Sequence, residues 1–442
     1  MYKKIVVLLF IVIGLLQSCN TTEPPPPDEK PILTLTLEDA SSIEAWIKLT
    51  SSNLQLPDTV TLKQNDQIRN TINLVNVDTL LYIDSLLPNQ TYSFHAAIQP
   101  SNQAEVKSNV LNVTTMDTTS HNFSWQTFTF GEHSSSVLRD VAIINPDNIW
   151  AVGEIYMNDS LGNPDPNAYN AVHWDGNEWE LKRINMLSNC NPVIYPPLRA
   201  IWAFSENNIV VTSGGSIGWF NGATNRTDCS IRPLLTGSIN KIWGSSSEDL
   251  YVVGNNGNIA WYNGSQWTKI ESGTEFNIID IWGDINSFTG EKEIICGAVN
   301  VSGNIGSDII RIKEDLTTEK LNQTGLEQIY SPLWFKSGKR YYIVGDGLYE
   351  KTYNSTVWVN LNEDKIITQY FMESVRGTGV NDVMVVGDFG ECLHYNGISW
   401  ESFVNRTSLS NGAYFRVDIE ENIIVAVGLN QIKGIILIGN HQ

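Results

Sequence analysis

The chain has 442 residues, enough for two or three domains, and sets 48 Asp and Glu against 28 Lys and Arg for a formal net charge of −20. With no basic stripe to neutralise phosphates, that balance excludes nucleic acid and argues against an anionic membrane surface as partner. Six histidines leave little material for zinc or general-base chemistry.

Residues 1–18 read as an export signal. Lys3 and Lys4 supply the positive start, and the apolar run from Ile5 to Leu16 is too short for a membrane span. The run ends in Leu16-Gln17-Ser18-Cys19, which resembles the bacterial lipobox. In that motif the cysteine is diacylated and becomes the new N-terminus, so the resemblance implies a palmitate-type anchor on Cys19 and a lipid bilayer as partner. The competing reading is an ordinary secretory signal with a chance cysteine. Asn20 stands where an aspartate would resemble an inner-membrane retention signal, which points to the outer membrane of the cell envelope, on its periplasmic or its outer side. Residues 19–30 continue as a tether around Pro24 to Pro27. Polyproline rises about 3.1 Å per residue and holds the next domain away from the membrane.

Residues 31–116 show short strand patterns in succession. Ile32, Leu33, Leu35 and Leu37 alternate, and further strands fit 45–49, 60–62, 80–83, 92–96 and 110–113. Leu86-Leu87-Pro88-Asn89-Gln90-Thr91-Tyr92 resembles the tyrosine corner of fibronectin type III domains, and Trp46 fits the same family. The resemblance implies a β-sandwich serving as a spacer.

Residues 122–442 repeat. Ile242-Trp243-Gly244, Tyr251 to Gly254, then Trp261-Tyr262-Asn263-Gly264 and Trp267 are echoed by Val375-Arg376-Gly377, Met384 to Gly387, His394-Tyr395-Asn396-Gly397 and Trp400. A third copy runs from Ile149 to Trp179. The Asn-Gly and Asp-Gly pairs suit type I′ hairpins, in which both central residues take positive φ. Four short antiparallel strands per unit make a propeller blade. The glycine that ends the second strand recurs at Gly153, Ser213 or Gly214, Gly254, Gly297, Gly345, Gly387 and Gly428. This gives seven blades at a spacing of about forty to fifty residues, apart from one longer gap after the first. The last blade lacks an outer strand, and the segment around Trp125 supplies one and closes the ring, which removes open sheet edges. The expected fold is therefore all-β, a fibronectin-like sandwich followed by a seven-bladed propeller. The repeat resembles the Trp-Gly and Val-Gly propellers of Bacteroidota lipoproteins, a resemblance of scaffold and not of catalysis.

Apart from Cys19, Cys296 and Cys392 sit in apolar strand patterns as buried thiols. Cys190 and Cys229 bracket one repeat and are the pair able to form a disulfide in an oxidising compartment, though sequence does not fix connectivity. His173, Trp261 and His394 share one repeat position, which marks a packing role. His121 and His133 lack ligand-like spacing, so no metal and no cofactor is expected. Asp249 and Asp382 recur as turn residues. Departures from the repeat carry the functional argument, because loops on a rigid scaffold hold binding residues. Glu154 to Asn170 and Ala298 to Asp308 read as long loops between second and third strands, and Asn185 to Leu198 joins two blades on the same face. They present Tyr156, Asp159, Asp165, Tyr169 and Tyr195, an aromatic and acidic mix suited to a glycan or an envelope protein. Asp346 and Asp388 come directly after marker glycines on that face. Arg376 replaces the tryptophan found at Trp202, Trp243, Trp282 and Trp334. It reads either as a guanidinium stacked between blades or as a channel arginine that binds an anion. A binding module without catalysis leads. A polysaccharide hydrolase or lyase, and a structural part of an outer-membrane assembly, are the alternatives.

Overall fold

A computed structural model describes residues 30–442 except 100–103, 193, 302–304, 327–329 and 364–365. The signal, Cys19 and the tether up to residue 29 lie outside the described residues. Two compact units emerge among the described residues: 30–36, 48–81 and 92–112 form one, and 37–47, 82–91 and 113–442 the other.

Between residues 32 and 114 the chain forms two antiparallel sheets. One contains Ile32–Ala40, Ala45–Ser52 and Asp78–Ile83. The other is built on Asp58–Gln64 and Thr91–Ile98, with Gln67–Leu74 as an edge strand. Alternation buries Leu33 and Leu35 from the first strand and Val60 and Leu62 from the third, alongside Trp46 and Phe94. The edge strand Gln67–Leu74 has no alternating apolar pattern and is mostly exposed on both faces, so nothing in its composition announced it.

From residue 123 onward the described residues form seven four-stranded antiparallel sheets, the arrangement of a β-propeller. Their innermost strands are Val137–Asn145, Ile201–Ser205, Ile239–Ser246, Asn277–Ile285, Tyr330–Lys336, Met372–Gly379 and Gly412–Glu420. Each lies beside the next, and the seventh lies beside the first. Six sheets take their strands consecutively. The seventh borrows its outer strand, Phe123–Phe130, which pairs with Lys433–His441 from Phe123↔His441 to Phe130↔Gly434.

The Trp-Gly pairs of the sequence have a packing cause. A Cβ on Gly283 would lie 2.4 Å from the ring of Trp243 in the preceding sheet, and one on Gly377 would lie 2.8 Å from Trp334. The glycine leaves the space that the neighbouring indole fills. At the corresponding place in the fifth sheet stands Phe335, fully packed, and the Trp282 ring lies instead near Trp202, with centroids 6.1 Å apart.

The third-to-fourth strand turns differ from the type I′ expectation. Gly176, Gly222, Gly264 and Gly397 take φ of +94°, +84°, +87° and +97°, whereas the Asp or Asn before each does not enter the positive region. That residue instead caps the turn with its side chain. Asp175 Oδ1 accepts the N–H groups of Asn177 and Glu178, and Asn263 and Asn396 do the same for 265–266 and 398–399. These are four-residue Asx turns. The shared His/Trp position is likewise explained by a bond. His173, Trp261 and His394 each set a ring nitrogen against the residue that opens the second strand, Asn148, Asp249 and Asp382, at 3.0, 2.9 and 2.9 Å.

Candidate functional site

The inner strands start on the face where the second strands end, as the pair Leu138↔Gly153 shows. Just inside this edge, five strands skip one residue in their register, at Arg139, Asn240, Ile279, Glu373 and Phe415. A bulge re-aims the extra side chain. Here these side chains, with Arg199 and Arg416, line a cavity of about 200 Å3 at the mouth of the central channel.

The mouth is divided by charge. Arg139 bonds Glu154 at 2.9 Å, and Glu154 in turn accepts the Tyr156 hydroxyl at 3.0 Å. Arg416 is held by three main-chain carbonyls, those of Glu373, Phe415 and Ile279. Arg199 is exposed, and its guanidinium has no hydrogen-bond or ion-pair partner among the described residues. Desolvation, with the charges of Arg139 and Arg416, lowers its pKa from the ordinary arginine value. Glu373 lines the same cavity, and Asp388 lies near it outside the lining. Burial raises both carboxyls; for Glu373 the Arg416 charge works against the rise and Asp388 adds to it.

Further along the strands, the channel is filled by paired charges. Lys241 Nζ lies 2.5 Å from Asp140, and Arg376 donates to both oxygens of Asp280 at 3.0 and 2.7 Å. All four are buried. For Asp280, burial works upward but Arg376, then Arg416 and Lys241, outweigh it and hold the carboxyl below the usual range. A second cavity of about 510 Å3 opens from the opposite face, lined by Trp202, Trp282, Thr378, Asp418 and Glu420 together with Lys241 and Arg376. The two cavities share no lining residue.

One inserted segment starts beside Arg139, through Glu154 and Tyr156. Arg183 stacks on Tyr169 at 3.8 Å and on Tyr195 at 5.7 Å, and bonds Asp165 at 2.5 Å. Asp159 and Asp165 are occupied within the loop. Asp159 Oδ1 accepts the N–H groups of Leu161 and Asn163, and Asp165 Oδ1 that of Asn167. They shape the loop and leave little for a ligand. Cys190 and Cys229 form a disulfide with Cα atoms 5.8 Å apart, fastening 185–198 to the second sheet. Ala298 to Asp308 is mostly extra strand, since Ala298, Val299 and Asn300 pair with Asp308, Ser307 and Gly306. Asp346 is exposed at its turn and lies outside the residues that line the mouth.

Arg376 is 4% exposed, with donors taken by Asp280 and the carbonyls of Leu333 and Val375, and its guanidinium sits 5.1 Å from the Trp282 ring. This geometry is that of the stacked, structural alternative, with Arg376 also lining the second cavity. Sequence reasoning passed over Arg139, Arg199, Arg416 and Glu373. No repeat mark in the sequence sets them apart, since Leu138-Arg139 and Met372-Glu373 lie inside strands while Leu198-Arg199 precedes one. Among the described residues no cluster of three or more His, Cys, Asp or Glu could hold a metal ion.

No protein-family model matches this chain, and no curated protein does. Solved structures do resemble it. The chain is similar to YCF48 bound to D1 peptide, with a TM-score of 0.54 and 15% identity over 74% of this chain and 97% of that one. It is also similar to YCF48 from Cyanidioschyzon merolae, with a TM-score of 0.52 and 13% identity over 72% of this chain and 98% of that one. At such identities the likeness establishes the propeller fold.

Proposed function

We propose that this protein is a binding module of the cell envelope, a seven-bladed propeller (122–442) displayed on a fibronectin type III-like spacer (31–116) and tethered through acylated Cys19, on the outer membrane by our reading of Asn20. Its partner is an envelope protein; a glycan is the second candidate. The observation that carries the reading is the channel mouth. An unpaired exposed Arg199 and the stacked Tyr169–Arg183–Tyr195 cluster share the loop-bearing face, while the channel beyond is sealed by ion pairs. A hydrolase needs two acids free to act on one bond. Asp140 and Asp280 are each committed to a cation and to a backbone N–H, which favours binding over hydrolysis. The YCF48 propeller solved with D1 peptide offers a precedent for a peptide on this fold. The disulfide suits an oxidising compartment.

The test is capture of envelope proteins and purified cell-wall glycans by the full-length protein, compared with a variant in which 158–167 is replaced by a short Gly-Ser turn. This replacement spares Ile155 and Asn170, which are buried. Loss of a captured partner on replacement is expected. Identical capture by both forms, or turnover of any glycan offered, would overturn the reading.

A further inference from the structure

We propose that the mouth receives, end-on, a carboxylate presented by a peptide, with Arg199 and Arg139 as its ion-pair partners; this rests on the binding-module reading and names what that face recognises. The chain as a whole carries −20, so a polyanion meets long-range repulsion over most of the surface. Cationic groups nevertheless converge at this one place. Arg199 has all its donors available, and Arg139 is oriented by Glu154, which the Tyr156 hydroxyl holds from behind. Arg416 is fixed by carbonyls at the base and contributes charge there. A guanidinium with free donors is matched best by a carboxylate, which takes two parallel N–H bonds.

The shape narrows the class further. About 200 Å3 falls below the roughly 300–1,000 Å3 of sites that engulf a drug-sized ligand. The floor is closed by the Asp140–Lys241 and Asp280–Arg376 pairs, so a polymer cannot pass through. Such a space takes one side chain or one chain end. Glu373 lines the same cavity as a hydrogen-bond acceptor. A peptide brings backbone N–H groups to it, whereas an acidic glycan brings a further anion with each uronate. The apolar Ile279 and Phe415 complete the wall and suit an aliphatic stem behind the carboxylate.

The experiment is fluorescence anisotropy with the full-length protein in detergent. The probes are N-terminally labelled octapeptides ending in Asp-Glu with a free carboxylate, the same peptides ending in Asn-Gln amide, and labelled trigalacturonate. Saturable binding of the free acids is expected, with at least tenfold weaker binding of the amides. Arg199→Glu should cost tenfold or more, and Arg199→Lys should stay within about threefold. The Arg199 side chain makes no internal bond, so both variants should melt as the parent does, a control read by calorimetry. Equal binding of acids and amides, an effect of Arg199→Glu below threefold, or Arg199-dependent binding of trigalacturonate without binding of the peptides would each overturn the proposal. If Arg199→Glu leaves capture intact while replacing 158–167 abolishes it, the carboxylate site fails and the binding-module reading survives. If neither change affects capture, both fail.

Discussion

Asp140, Asp280 and Asp418 stand on the inner strands of the first, fourth and seventh sheets, and each accepts a backbone N–H from the next sheet round the ring. The donors are Ile201 at 3.0 Å, Leu333 at 3.1 Å and, around the closure, Ile143 at 2.8 Å. The bonding is the same and the electrostatics are not. Asp140 and Asp280 each have a cation in contact, which buried carboxylates require if they are to stay charged at tolerable cost. Asp418 has only its amide donors and the more distant Lys241 and Arg376. Desolvation therefore dominates and pushes its carboxyl up to about 6. A folded-state pKa above the unfolded value of about 3.9 means that the folded protein binds more protons between those pH values. The Asp418 contribution to stability is accordingly complete below about pH 4 and is lost as the pH rises through about 6. Asn at this site cannot titrate and keeps an acceptor for Ile143. The difference in melting temperature, parent minus Asp418→Asn, should therefore grow in the parent's favour as the pH is lowered from 7 to 4. Thermal melts at half-unit steps check this, and parallel curves would refute it.

At the scale of the strand, the Trp-Gly dipeptide acts between sheets and not within one. The ring of Trp243 occupies the place where Gly283 has no side chain, and any Cβ there lies far inside contact distance. Gly283→Val should cost about 1–3 kcal/mol through overpacking. Adding Trp243→Leu should recover part of that loss, because the two residues share one space and their effects do not add. Urea unfolding of the single and double variants measures the coupling, and strict additivity would show that the ring and the glycine are independent. The same element shows what the sequence could disclose. Strand repeats, turn residues and the transferred outer strand at Trp125 leave periodic marks, and these are readable. The skipped residue on five of the inner strands leaves none, because one extra residue changes neither composition nor the apolar pattern around it. That skip aims Arg139 and Glu373 into the mouth, so these residues are invisible as a group. The loop residues Tyr169 and Tyr195 are readable as departures from the repeat. Their partner Arg183 is not, because a stack of three side chains across two loops is a tertiary fact. Asp159 and Asp165 stand out for charge, yet local N–H groups compete for aspartate in turns and win.

For the molecule as a whole, the borrowed strand links closure of the propeller to the proposed anchor. Phe123–Phe130 is the outer strand of the seventh sheet and also the stretch through which the chain arrives from residues 31–116. That strand is paired at every position from Phe123 to Phe130, with Trp125 seated against Gly439, so no free sheet edge is left there. This arrangement matters only if the chain is fixed at its far end, which is what the Leu16-Gln17-Ser18-Cys19 resemblance implies. Cys19→Ala would remove the proposed acyl acceptor and leaves every described residue unchanged in sequence. The variant should leave the membrane pellet for the soluble fraction and carry no labelled palmitate, with the melting transition of the propeller unchanged. A single acyl chain binds membranes only marginally, so partial acylation would appear as partial release and full loss as complete release. Membrane retention of an unlabelled Cys19→Ala protein would separate the propeller from any lipid anchor and leave its loop-bearing face to be explained by a protein tether instead.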